Sequence, residues 1–263
     1  MLTGDKRKTL FLLGGHDLEM CTIREILAFH HYLYVDHQLN WANSKLSSYG
    51  QEIDQFLEKE PDGLIYGIEL ENDIGFSNQN YVLIDHHNEY AGRASALEQI
   101  AVLLQLSMSW MWKLIAANDK RYIPGMEALG ATKEEINTIR LLDRQAQGVT
   151  ASDEHLAQKA IMENLTKRGD LIIVKSFSSR FSPICDRLFP YEKLLVFTDE
   201  EWMYYGKQAD RLVENFQSDI QNGSIFYGGG PDGYIGCKRK VYTSNEIQQH
   251  IELIKNLMNH GNI

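Results

Sequence analysis

Short apolar runs alternate with segments of helical spacing along the first half of the chain. Thr9 to Leu13, Tyr32 to Val35, Leu64 to Ile68 and Tyr81 to Ile84 have the length and residue types of buried strands. Between them, Thr22 to Phe29 reads as a helix. Leu46, Tyr49, Ile53, Phe56 and Leu57 repeat at helical spacing until Pro61 stops them. Ser95 to Leu106 and Ser109 to Asn118 are two further helices. This order predicts a mostly parallel sheet with helices on both faces. Thr132 with Glu135 three residues later forms a capping box for a helix to about Gln145, and Gly148 ends it. Ser152 then caps a helix from Asp153 to about Lys167, with a boundary at Gly169-Asp170. Beyond it, Leu171 to Val174, Leu194 to Phe197, Trp202 to Tyr205 and Ile225 to Tyr227 are short strands. Helices follow at about Ala209 to Ser218 and Glu246 to Met258. The expected architecture is α/β: residues 1–150, a helical connector at 151–169, and a smaller α/β domain at 170–263, with a cleft between the domains.

Composition narrows what such a fold can do. The chain has 263 residues, 43% of them hydrophobic, and a formal net charge of −10. That charge argues against binding long duplex nucleic acid, which relies on Lys and Arg to neutralise phosphates. A local basic pocket or a metal could still serve a small phosphate-bearing ligand or a short oligonucleotide. Cys21, Cys185 and Cys237 make no CxxC pair, which suits a reducing cytoplasm. Lys6-Arg7-Lys8 and the apolar run after it fall short of a signal peptide, because Gly14-Gly15-His16-Asp17 interrupts them. No apolar run is long enough for a membrane span. Nothing in the sequence fixes the oligomeric state, and a homodimer stays open.

The polar residues at strand ends carry the chemistry. Asp85-His86-His87-Asn88 follows the strand Tyr81 to Ile84, so a carboxylate, two imidazoles and an amide arrive together at a strand's carboxyl end. In open α/β sheets that edge binds ligands. His16, Asp17 and Glu19 follow the first strand, Asp36 and His37 the second, Glu69 and Glu71 the third. Asn118-Asp119 ends an apolar helix. Carboxylates gathered at one edge repel each other and take up protons unless cations relieve them. Two divalent cations would do so, and would hold a bridging hydroxide against a phosphoryl group. Each position also has a plainer explanation. Gly14-Gly15 makes an ordinary tight turn, His16 a loop residue, and Asp36 and His37 a solvated pair. Glu69 fits an exposed strand end, and Asp119 a cap. Trp41 either walls the cleft and stacks on a base or belongs to the core.

The residues Asp85-His86-His87, with the apolar strand before them, resemble the DHH phosphoesterase superfamily. That group includes RecJ-type exonucleases, family II inorganic pyrophosphatases, oligoribonucleases and cyclic-dinucleotide phosphodiesterases. Asp119 is similar to the family's later metal-binding Asp. Gly228-Gly229-Gly230 resembles its C-terminal Gly-Gly-Gly-His signature, with Pro231-Asp232 in place of the His. The first motif departs too: Gly14-Gly15-His16-Asp17-Leu18-Glu19 is compressed, and Glu69 stands where the family has Asp. The resemblance implies a divalent-metal-dependent phosphoesterase. His16, Asp17, Glu19, Glu69, Asp85 and Asp119 would be metal ligands, and His86 and His87 would act catalytically. Asn88, Arg180 and Gly228 to Gly230 would bind substrate. Two Mn2+ ions are the family expectation, while the ligand types also admit Mg2+, Co2+ or Zn2+. The alternative is a nucleotide- or phosphate-binding protein that kept the scaffold with weakened catalysis.

Overall fold

The computed structural model describes residues 8–77, 79–230 and 232–259. Lys6, Arg7 and Pro231, which entered the sequence reading, lie outside them. The chain divides into two compact units, 1–148 and 149–263.

The first unit is built on a four-stranded parallel sheet, ordered β2-β1-β3-β4. Its strands are β1 (Thr9–Leu13), β2 (Leu33–Val35), β3 (Leu64–Ile68) and β4 (Tyr81–Ile84). Every residue of β1 is buried, as befits a central strand covered on both faces. Leu10 and Leu12 point to one face, where Ile53 and Phe56 of α2 (Gly50–Lys59) and Leu46 and Tyr49 cover them. Phe11 points to the other and stacks on Tyr66 with ring centroids 5.0 Å apart. Each such fully buried side chain contributes roughly 1.5–3 kcal/mol relative to exposure.

This unit also carries α1 (Leu18–Phe29), α3 (Ala96–Leu103), α4 (Trp110–Ala128) and α5 (Lys133–Ala146). Two depart from expectation. α1 starts at Leu18 rather than Thr22, because the carboxylate of Asp17 accepts the main-chain N–H of Met20 and caps it. α4 does not stop at Asn118. It continues to Ala128 across a kink at Arg121 and Tyr122, with Pro124 in its last part. Asp119 therefore projects from a helix interior just before the kink. The capping box of Thr132 and Glu135 is present at the start of α5.

The second unit holds a mixed six-stranded sheet in the order β5-β6-β7-β8-β10-β9. The strands are β5 (Leu165–Arg168), β6 (Leu171–Lys175), β7 (Lys193–Phe197), β8 (Trp202–Gly206), β9 (Ile225–Gly228) and β10 (Tyr234–Cys237). α8 (Ala209–Asn215) and α10 (Ser244–Asn259) pack on one face around Trp202 and Tyr204. α6 (Ala151–Asn164) and α7 (Ser182–Leu188) cover Val174, Leu194 and Val196 on the other. The short α9 (Gln217–Gln221) follows α8.

Here the helix expected to reach Lys167 ends at Asn164. Leu165 to Arg168 pair antiparallel with β6 instead, and Gly169, at φ +61°, makes the turn between them. Pairing with a neighbouring strand overrode local helix preference. The exposed Thr166, Lys167 and Arg168 suit an edge strand, where charge deters further pairing. The expected connector is thus α6 and β5, and both fall within the second unit.

Candidate metal centre

Glu69 follows β3, His86 follows β4, Glu19 sits in the first turn of α1, and Asp119 projects from α4. Around Nε2 of His86, the nearest carboxylate oxygens are Oδ2 of Asp119 at 2.6 Å, Oε1 of Glu69 at 3.1 Å and Oε2 of Glu19 at 3.6 Å. Glu19, Glu69 and His86 are buried, and Asp119 nearly so. None of these atoms makes a hydrogen bond of good geometry, and Oε1 of Glu19 is orphaned as well. One nitrogen cannot satisfy three carboxylates.

The four side chains offer one ligand atom each within 4.8 Å of one another. A second, overlapping set combines Glu69, His86 and His87 under the same limit. Oxygen and imidazole donors with no other partner fit a divalent cation. The electrostatics agree. Burial, with Asp119 and Glu69 nearby, pushes the Glu19 carboxyl up to about 8 against the pull of His86. Burial raises Glu69 as well. Burial pulls the His86 imidazole down, but Asp119, Glu19 and Glu69 together push it up to about 12.

Local backbone explains how the loops reach this point. A Cβ on Gly14 would lie 2.5 Å from the carbonyl oxygens of Ile68 and Glu69, so only glycine lets the chain leave β1 this close to β3. Glu69 itself sits at φ +52°, a left-handed conformation that a non-glycine residue rarely adopts. Its side chain points into the cluster. Next to it, a Cβ on Gly15 would meet the indole of Trp41 at 2.7 Å. Trp41 lies on a 3-10 turn capped by Asn40. It is half exposed and meets His87 edge-on with ring centroids 5.2 Å apart. The rings of His86 and His87 are 4.3 Å apart.

The other candidates fall in different places. Asp85 lies outside both donor sets as arranged here. Its Oδ1 accepts the main-chain N–H of His87 at 2.8 Å and faces His87 Nδ1 at 3.2 Å. Burial acts to raise Asp85, but its contacts with His87 outweigh it and hold the carboxyl low. Asp85 in turn raises the His87 imidazole. Asp17 caps α1, and burial together with Asp119 and Glu69 holds its carboxyl well above the usual range. His16 donates its main-chain N–H to Leu39, and its Nε2 lies 3.8 Å from Sγ of Cys21. Its Nδ1 is buried without a partner. Asn88, at φ +49°, starts the turn after His87. Asp36 pairs with Arg24 at 3.2 Å and His37 with Glu52 at 3.0 Å, and neither belongs to a donor set.

Arg180 belongs to the second unit. It lines an open hollow of about 760 Å3 with Lys175, Ser176, Ser179, Asp199 and Arg239. Gly228 ends β9, and Gly229 and Gly230, both at positive φ, turn the hairpin into β10. No disulfide joins the three cysteines, and among the described residues no helix is long and apolar enough to cross a membrane.

Sequence reasoning missed two buried charged residues on α5, Arg140 and Asp143, and named Asn118, which Arg140 contacts, only as part of a helix end. A signal was present. Ile136, Ile139, Arg140 and Asp143 lie on one face of α5, so its apolar stripe continues into charged residues.

Comparison with solved structures finds a similar fold in a DHH domain. One match is a DHH domain described as a member of a family of ribosomal proteins. It is 10% identical, covers 97% of this chain and 87% of that one, and has a TM-score of 0.55. The pGpG-specific phosphodiesterase PggH from Vibrio cholerae is 10% identical over 94% of this chain and 98% of that one, with a TM-score of 0.48. The exonuclease RecJ, in a structure bound to manganese, is 9% identical over 94% and 90%, with a TM-score of 0.42. At such identity the likeness extends to the fold alone. No family model matches the sequence, and a search of curated proteins finds no match.

Proposed function

We propose that this chain is a divergent DHH phosphoesterase. In this reading it uses divalent cations, Mn2+ foremost, to hydrolyse a phosphodiester or phosphoanhydride of a small nucleotide-type substrate or short oligonucleotide. One observation carries the reading: three acidic side chains crowd a single imidazole nitrogen at the carboxyl edge of a parallel sheet, with their inner oxygens unpartnered. Burying such charges is costly unless protons or a cation compensate them. A bound divalent cation supplies an acidified water and polarises a phosphoryl oxygen.

The chain's own groups then divide the work. Glu19, Glu69, Asp119 and His86 would hold the cation, and Glu69, His86 and His87 offer a second, overlapping donor set. Asp17, the cap of α1, keeps Glu19 in its first-turn position. Asp85 orients the His87 ring, which is partly exposed at the rim and protonates the leaving oxygen. Asn88 donates to a phosphoryl oxygen, and His16 offers its spare Nδ1 to the same edge. Trp41 stacks on a nucleobase. Arg180 and the Gly228 to Gly230 turn lie at opposite ends of the second unit's sheet, so they do not share one phosphate, and we assign the phosphate-binding role in that unit to Arg180 alone.

A nucleotide-binding protein with weakened catalysis is the second reading. The observation favouring it is the engagement of Asp85 with His87, outside both donor sets. A Mn2+-dependent assay on a panel of dinucleotides, cyclic dinucleotides and pyrophosphate separates the two. Turnover that disappears in Asp119→Asn and Glu69→Gln supports the enzyme. Tight nucleotide binding without turnover supports the binding protein.

A further inference from the structure

The segments that carry Glu19 and Asp119 share a buried polar clamp whose residues belong to neither donor set. Nη1 of Arg140 donates to Oδ1 of Asn118 at 2.9 Å and to Oδ2 of Asp143 at 2.7 Å. Oδ1 of Asp143 accepts the main-chain N–H of Leu18 at 3.3 Å, and its Oδ2 also accepts Nε2 of Gln147 at 3.1 Å. The guanidinium carbon of Arg140 stands over the Tyr122 ring, 4.5 Å from its centroid. Asn118, Arg140 and Asp143 are all at least nine-tenths buried.

The positions of these contacts matter more than their number. Asn118 immediately precedes Asp119. Tyr122 follows it at the kink, in a φ +56°, ψ −147° conformation that is costly outside glycine. Leu18 lies between Asp17 and Glu19. One Arg–Asp pair on α5 therefore grips the helix that carries Asp119 on both sides of that residue. The same pair grips the first turn of the helix that carries Glu19. Those two carboxylates come from distant parts of the sequence and share the same imidazole neighbour.

We infer that Arg140 and Asp143 are positioning residues that fix the separation of Glu19 and Asp119 and so set the affinity of the cluster for its cation. This rests on the metal reading above and goes beyond it, since neither residue supplies a ligand atom. Partners behind metal ligands typically change metal affinity by about 10–100-fold when removed. Nη1 of Arg140 serves both acceptors while the guanidinium plane lies over the Tyr122 ring, and a lysine ammonium does not reproduce that stacked plane.

The test is calorimetric titration of Mn2+ into the full-length chain, compared across wild type, Arg140→Lys, Asn118→Ala and the double variant. Circular dichroism verifies folding of each. Mn2+ affinity should fall about 10–100-fold in Arg140→Lys and by a smaller factor in Asn118→Ala. The double variant should bind no more weakly than Arg140→Lys alone, because both act through one contact. If Arg140→Lys does not fold, Asn118→Ala carries the test by itself. Folded variants that bind Mn2+ within about threefold of wild type overturn the inference and leave the metal reading standing. Absence of Mn2+ binding in the wild type overturns the metal reading, and this inference with it.

Discussion

Gly14 passes the carbonyl of Glu69 so closely that a Cβ would sit 2.5 Å from its oxygen. The tight exit of β1 and the left-handed backbone of Glu69 are thus one feature seen from two strands. Gly14→Ala forces backbone against backbone, with no flexible side chain to give way. Overpacking of this kind typically costs about 1–3 kcal/mol. Denaturant unfolding should show that loss, and Mn2+ binding should weaken in the same variant because Glu69 moves. Wild-type stability in Gly14→Ala would contradict the close approach.

Proton uptake by the cluster gives a signed pH dependence. Glu19 is raised from an ordinary carboxyl value to about 8, and His86 to about 12. The folded chain therefore keeps protons that the unfolded chain releases once pH passes the ordinary carboxyl and imidazole values. Stability of the metal-free protein falls as pH rises across that range. A cation displaces the same protons, so its affinity rises with pH. Thermal unfolding should give a lower metal-free Tm at about pH 8 than at about pH 6, with a larger Mn2+-induced increase at pH 8. A metal-free Tm that climbs with pH would show that the carboxylates are not crowded as described.

Trp41 presents an open indole beside His87. Stacking on a base contributes about 1–3 kcal/mol, so Trp41→Ala should raise KM for nucleotide substrates by about 5–150-fold. Pyrophosphate, which has no base, should be unaffected. Steady-state kinetics on both substrates gives the comparison, and an equal loss for the two would rule out stacking.

Thr132 tests the sequence reading away from the cluster. Its side chain accepts the N–H of Glu135, and Glu135 reciprocates. Thr132→Ala should cost about 0.5–2 kcal/mol in denaturant unfolding and leave Mn2+ binding unchanged. Loss of metal binding in this variant would mean that the start of α5 matters to the site directly.

What could be read from the sequence follows from how local each signal is. β1 and β3 are visible because apolar runs mark strands covered on both faces, and β4 shows the same kind of run although it is an edge strand with Val82 exposed. The meeting of Glu19, Glu69 and His86 follows from parallel topology, which puts strand exits on one edge, whereas Asp119 comes from helix α4 and is suggested by the resemblance. Asp17 was less transparent, since an acid after Gly-Gly-His serves as a ligand or as a helix cap on the same local pattern. β5 was hidden because Leu165-Thr166-Lys167-Arg168 becomes a strand only by pairing with β6. Arg140 and Asp143 were hidden for another reason. Charge on a helix normally implies solvent, and only the alignment with Ile136 and Ile139 reveals that these two face inward.

Anomalous diffraction from crystals soaked in Mn2+ addresses the metal cluster most directly. A cation held as described gives a peak bonded to carboxylate oxygens of Glu19, Glu69 and Asp119 and to Nε2 of His86, at about 2.0–2.3 Å. An empty cluster under saturating Mn2+, or a peak bound only by residues outside it, would contradict the assignment of this site.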